Sequence, residues 1–165
     1  PQEVNLRQAG LPEIGVRTFS SPVVRVADAL QAWWRSAEIP AANGHANARA
    51  VALIQSVVAC GGEAHGVRLL SPETVEKIFE EQSNGTDLVL GVPLRFGMGY
   101  GLASETMPMG PRSFSWGGYG GSLVFNDLDG RMTVAYVMNR MEANLLGDRR
   151  GASMVLATIA GLAGS

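Results

Sequence analysis

Hydrophobic positions along this chain follow two different periods, and the change between them divides it. In the first half the spacing is helical. Val23, Val26, Leu30, Trp33, Trp34 and Ala37 recur at that spacing behind Ser21-Pro22, a pair suited to a helix start, and predict a first helix that 40–45 breaks. The adjacent tryptophans read as core on its apolar stripe. A second helix is predicted over 46–60, with Val51, Leu53, Ile54, Val57 and Val58 spread over most faces, so it should be largely buried until Gly61-Gly62 stops it. Residues 66–70 read as a short extended segment. Ser71-Pro72-Glu73 opens a third helix, with Val75, Ile78 and Phe79 on one face and an end at Asn84-Gly85. Residues 1–20 show no period and read as an irregular connection.

From Gly97 to Gly121 the helical period is lost, and eight of 25 residues are glycine, where average usage is roughly 7%. Short β-like runs follow at 95–102, 112–116, 122–126 and 132–139. Asp127-Leu128-Asp129-Gly130 joins the last two as a hairpin turn. Residues 148–162 read as a closing helix with Ala152, Val155, Ile159 and Leu162 on one face. Helices, then consecutive hairpin-linked strands, then a helix make an α+β class with an antiparallel sheet. Three or four strands with one terminal helix leave an exposed edge and an uncovered face, so partner elements are expected to complete the core.

Composition narrows the function. Hydrophobic residues make up 46% and charged residues 17% of the 165, a globular balance. The net charge of −2 and the absence of any basic run beyond Arg149-Arg150 argue against nucleic acid and against an anionic membrane surface. No run of about 18 apolar residues occurs. Cys60 is alone, so no intrachain disulfide forms and secretion gains no support. The compartment stays open, with a slight lean to the cytoplasm. Among apolar neighbours, Cys60 reads as a buried, inert thiol. Pro1-Gln2-Glu3-Val4-Asn5 is neither a signal peptide nor an initiator, and reads as an internal stretch of a longer polypeptide.

The segment that carries chemistry is Phe114-Ser115-Trp116-Gly117-Gly118-Tyr119-Gly120-Gly121-Ser122. On glycine content alone it fits a plain hairpin connection. It is not a nucleotide loop, because it lacks G-x-G-x-x-G, a following helix and a Walker lysine. The other reading is a bare backbone lining a substrate cleft, where glycine lets a ligand reach main-chain N–H groups. Acyl transfer needs such donors, since charge develops on the carbonyl oxygen and one donor contributes ~3–4 kcal/mol to the transition state.

Here the chain resembles the β-lactamase-like serine hydrolases: class C β-lactamases, D-alanyl-D-alanine peptidases and family VIII carboxylesterases. These carry Ser-x-x-Lys, a Tyr or Ser motif and Lys-Thr-Gly in order. Trp116-Gly117-Gly118 is similar to the esterase form of the third motif. The run from Asn43-Gly44-His45 through Ser71-Pro72-Glu73, and Phe96-Gly97-Met98-Gly99-Tyr100-Gly101-Leu102, resemble the family's flanking segments, so the likeness covers about 40–163. It implies a β-lactamase/transpeptidase-like fold of which residues 1–165 are the C-terminal portion, with 1–85 mainly helical and 86–165 holding the strands and C-terminal helix.

The resemblance also implies roles. Tyr119 follows the motif and would give its backbone N–H to the oxyanion hole. Gly117 and Gly118 would allow close substrate approach, and Trp116 would line the pocket. Trp in place of Lys removes a cation that would meet a substrate carboxylate, which favours neutral esters. No cofactor is implied.

Neither Ser-x-x-Lys nor Tyr-x-Asn occurs in the 165 residues. The expected partner is therefore an N-terminal portion of the same protein carrying those motifs, with a small ester as substrate. The expected activity is a serine esterase acting through an acyl-enzyme. A β-lactamase, peptidase or acyltransferase of the same fold, or a non-catalytic ligand-binding module, remain alternatives.

Other candidates read as structural. His45 and His65 lack acidic neighbours at metal-ligand spacing. His45 should cap or pack at a helix start, and His65 should sit in a polar turn. Asp127 and Asp129 are turn residues. Glu80-Glu81 is a solvated helix face. Met107 and Met109 either line an adaptable pocket or pack a loop.

Overall fold

The irregular opening expected of residues 1–20 is helical at its end. The computed structural model describes residues 6–143 and 146–164, so the opening pentapeptide discussed above lies outside them. Helix α1 (Glu13–Ser20) buries Val16 and Ser20. Its period is masked by Gly15, where a Cβ would stand 2.1 Å from the Val89 carbonyl oxygen, so contact with distant backbone replaces a side chain in the stripe.

The helix expected behind Ser21-Pro22 is broken. A 3-10 turn (Val26–Leu30) comes first, and its start is tied by the Arg25 N–H donating to Asp28 Oδ2 at 2.7 Å. Such local side-chain bonds compete with a continuous helix. The helix α2 (Ala32–Ser36) follows. Of the tryptophan pair only Trp34 is core; Trp33, Val23, Val26 and Leu30 are exposed. Asn43 donates its amide to the Trp34 carbonyl at 2.9 Å and to the Ala37 carbonyl. Exposed His45 packs locally instead, its Nδ1 lying 2.7 Å from the Asn43 carbonyl. These segments form one compact unit, Pro1–His45 with Gly85–Pro93.

The second unit comprises Ala46–Asn84 and Leu94–Ser165. Helix α3 (Ala48–Ala59) begins where Asn47 accepts the Ala50 N–H at 2.9 Å. It ends at Gly61 and Gly62, both at positive φ, with the Gly62 N–H returning to the Val57 carbonyl. Its burial is less complete than expected, since Leu53 and Ile54 are exposed. Cys60 is half-buried rather than buried, its thiol 3.9 Å from the Arg131 carbonyl.

The hairpin of β1 (Glu63–Ala64) and β2 (Val67–Arg68) turns at His65 and Gly66. Helix α4 (Pro72–Glu76) is capped by Ser71 and runs into a 3-10 turn (Lys77–Phe79), where it stops. The expected extension to Asn84-Gly85 fails for a tertiary reason. The Ile78 carbonyl accepts the Met98 N–H at 3.2 Å, and the chain instead enters strand β3 (Ser83–Thr86).

Strands β4 (Pro93–Phe96), β5 (Gly101–Leu102), β6 (Ser113–Gly117), β7 (Leu123–Asp127) and β8 (Met132–Tyr136) complete a six-stranded sheet in sequence order. It is larger than the three or four strands expected, because the run at 95–102 folds back on itself. The Gly97 N–H donates to the Tyr100 carbonyl, and Gly99 takes positive φ. From β4 to β8 each strand pairs antiparallel with the next.

Both faces of the sheet carry a helix, contrary to the uncovered face expected. Paired strand residues share a face, so Phe114, Asn126 and Thr133 all face α3. Helix α5 (Arg149–Ala163) lies against the other face. There Gly151 lets Leu123 and Tyr136 approach to 3.2 Å from where its Cβ would be. The core holds Val58, Val75, Ile78, Leu102 and Phe114. Tyr100 and Phe79 meet the fully buried Phe114 ring edge-on. Beside it, Gln55 Oε1 accepts from Tyr100 Oη and Asn126 Nδ2, both at 3.0 Å, and Asn126 Oδ1 accepts from Thr133 at 2.8 Å.

Candidate active site

Strand β6 delivers Trp116 and Gly117 to the mouth of a hairpin, with Trp116 opposite Val124 and Gly117 opposite Leu123. The chain then turns through 118–122 into β7. The Gly118 N–H donates to the Ser122 carbonyl at 2.9 Å, and the Gly121 N–H to the Gly118 carbonyl at 3.1 Å. Tyr119 rides between these bonds, half exposed. Among the described residues its amide enters no hydrogen bond. Trp116 is half-buried, its ring 4.8 Å from that of Phe96 at 57°.

The four sequence-predicted residues, Trp116, Gly117, Gly118 and Tyr119, are thus consecutive at one strand end. The glycines have an internal reason as well. A Cβ on Gly117 would stand 2.9 Å from the Ser122 carbonyl oxygen, and one on Gly118 would stand 2.8 Å from Ser122 Oγ. The hairpin therefore needs them bare whatever approaches from outside.

Behind the turn lie residues that no local sequence pattern places there. A Cβ on Gly120 would meet Met141 Cε at 2.4 Å, and the Glu142 N–H donates to the Gly120 carbonyl at 3.1 Å. A Cβ on Gly121 would stand 2.0 Å from Asp148 Oδ2. Sequence reading identifies Asp148 only as the start of the last helix. No local pattern signals its approach to Gly121.

Asp148 has a side chain 1% exposed. It accepts the Arg150 N–H at 2.7 Å and pairs with the Arg150 guanidinium, Nε to Oδ1 being 2.9 Å. Hydrogen bonding from the Arg150 side chain, then its backbone N–H and its charge, hold the carboxyl down at about 2 against the opposing effect of burial.

A separate cleft of about 570 Å³ is lined in part by Cys60, His65, Arg68 and Arg131. It lies at the Asp127–Met132 end of the β7–β8 ladder, whereas the glycine turn adjoins the Leu123–Tyr136 end. In it Glu63 pairs with Arg68, and His65 Nε2 lies 3.1 Å from Ser56 Oγ. His65 sits in the polar turn expected of it. Met107 packs over Gly101, its Cε 3.0 Å from where a Cβ would be.

A family model described as Beta-lactamase matches residues 2–158. The esterase/beta-lactamase LipL of Mycobacterium tuberculosis is 40% identical over 113 residues, covering 67% of this chain and 25% of that protein. A crystal structure of a family VIII carboxylesterase superposes with a TM-score of 0.78 at 34% identity, over 84% of this chain and 38% of the other. A penicillin-binding protein homologue from Caulobacter crescentus superposes with a TM-score of 0.74 at 35% identity, over 79% and 36%. The chain spans about a quarter of the length of the mycobacterial relative and under two fifths of either solved structure.

Proposed function

The chain belongs to the β-lactamase family of serine hydrolases, and from that premise we propose that it forms the C-terminal part of an esterase for small, neutral carboxylic esters. The reaction would pass through a serine acyl-enzyme. The observation that carries this reading is the Tyr119 amide, unengaged at the end of a strand beside a half-buried tryptophan. A donor held there without a partner among the described residues is preorganised for an oxygen on which charge develops. Trp116 supplies pocket wall and no cation, which suits an uncharged acyl or alcohol group. The nucleophile, its lysine and the catalytic tyrosine would come from preceding polypeptide, which would also cover the exposed apolar residues of α3 and α5.

The complete enzyme should release p-nitrophenol from short p-nitrophenyl esters. Replacing Tyr119 by its α-hydroxy acid exchanges only the N–H for an ester oxygen. It should lower kcat by about 100- to 1000-fold. An undiminished kcat would remove Tyr119 from the oxyanion hole. The name of the mycobacterial relative joins esterase with beta-lactamase, so nitrocefin belongs beside the esters. Turnover of nitrocefin alone would favour the β-lactamase reading, and no turnover of either would favour a binding module.

A further inference from the structure

The glycine turn is held from behind at two points, and both lead to one ion pair. At the first, the Gly121 backbone is pressed so closely on the Asp148 carboxylate that even a methyl group would not fit between them. At the second, Gly120 rests on Met141 and accepts the Glu142 N–H. Arg150 joins the two supports. Its guanidinium grips Asp148, its Nη1 donates to the Arg140 carbonyl at 2.9 Å, and its Nε lies 3.8 Å from Glu142 Oε1. Asp148 is itself fixed as the N-cap of α5. Helix, post-β8 segment and turn therefore share a single charged clamp.

We infer that Asp148, locked by Arg150, is a positioning residue that sets the direction of the Tyr119 N–H by backing Gly120 and Gly121. The inference rests on the esterase reading and deepens it. Gly120 and Gly121 both have positive φ, so the path of the turn is set by what they lean on rather than by side chains of their own. When the clamp loosens, the turn relaxes towards the space it vacates, and the donor next to Gly120 turns with it. A misplacement of about 1 Å is enough to cost up to ~100-fold in rate.

The test uses the complete enzyme with Asp148→Asn, which keeps the size and the cap acceptor but loses the charge, together with Arg150→Met and the double variant. Competent sites are counted by stoichiometric trapping with an organophosphonate, and kcat and KM are taken per trapped site. The expected result is a kcat per site lowered by about 10- to 100-fold with KM nearly unchanged. The two single variants should match, and the double should be no worse than either. The loss should be smaller for a thionoester, whose sulfur depends less on the donor.

A merely structural role would lower the melting temperature and the number of competent sites while leaving kcat per site within about twofold, and that result overturns the inference. If the wild-type enzyme neither cleaves esters nor traps the phosphonate, the esterase reading falls separately. The positioning claim is then decided by the Tyr119 amide resonance in NMR spectra. Movement in both single variants supports it, and an unmoved resonance overturns it.

Discussion

On the proposed reading, Trp116 is the side chain that would set substrate charge. The β-lactamase pattern has a lysine at the head of this motif, where it would meet a carboxylate; here an indole leans on Phe96. A charge-assisted hydrogen bond contributes about 1.5–3 kcal/mol, so Trp116→Lys should raise the nitrocefin-to-ester rate ratio about tenfold or more. Parallel steady-state assays on the two substrates check this. Asp148 makes the second residue-scale prediction. Its carboxyl sits at about 2 in the folded chain against an ordinary 3.8. A depressed carboxyl favours folding at all pH values above its ordinary value and loses that contribution as pH falls from about 4 towards 2. Arg150 and, through it, Glu142 are the charges that face it. Melting temperatures of wild type and Asp148→Asn should therefore differ at pH 5 and converge near pH 2.

At the scale of elements, close backbone contacts decide more than periodicity does. A Cβ on Gly97 would stand 1.8 Å from the Ile78 carbonyl oxygen. Because the obstacle is main chain, Gly97→Ala should destabilise by about 3 kcal/mol, seen as a lower midpoint in urea. Asn126 is fully buried and links Gln55 to Thr133. Asn126→Leu takes the acceptor from Thr133 and leaves Gln55 only its bond from Tyr100, at a cost of about 1–3 kcal/mol measurable in the same titration.

These contacts also explain what the sequence could and could not reveal. Helices α3 and α5 and the β7–β8 hairpin were legible, because Asn47, Gly61, Asp148 and the Asp127–Gly130 turn mark their ends locally. Helix α1 was hidden behind Gly15 and Gly10, and the early end of α4 depends on Met98, far along the chain. At the site, the motif Trp116-Gly117-Gly118 was legible through family likeness. The support from Asp148 was not, since only the folded sheet brings the start of α5 to Gly121.

Across the whole molecule, apolar surface exceeds what the described contacts cover. Leu53 and Ile54 on α3, and Met154, Leu156 and Ile159 on α5, stand exposed within the larger unit. Exposed apolar residues on two helices that cover opposite faces of the sheet offer a further element two places to dock. The 165 residues produced alone should bind a hydrophobic dye such as ANS, and co-production with the preceding polypeptide should abolish that binding. Dye binding that survives co-production would mean that the proposed preceding polypeptide does not cover these helices.

Strand β8 closes the order of the sheet, with no further strand beside it among the described residues. Met132-Thr133-Val134-Ala135-Tyr136 is a β-prone sequence free of charge and proline. Its outward backbone groups form a template that accepts any extended chain of suitable register. Whichever segment reaches this edge first, from the same molecule or from a sibling, decides between intramolecular pairing and an intermolecular sheet. Yield on refolding should therefore fall steeply with protein concentration, and a lysine at Val134 should relieve it.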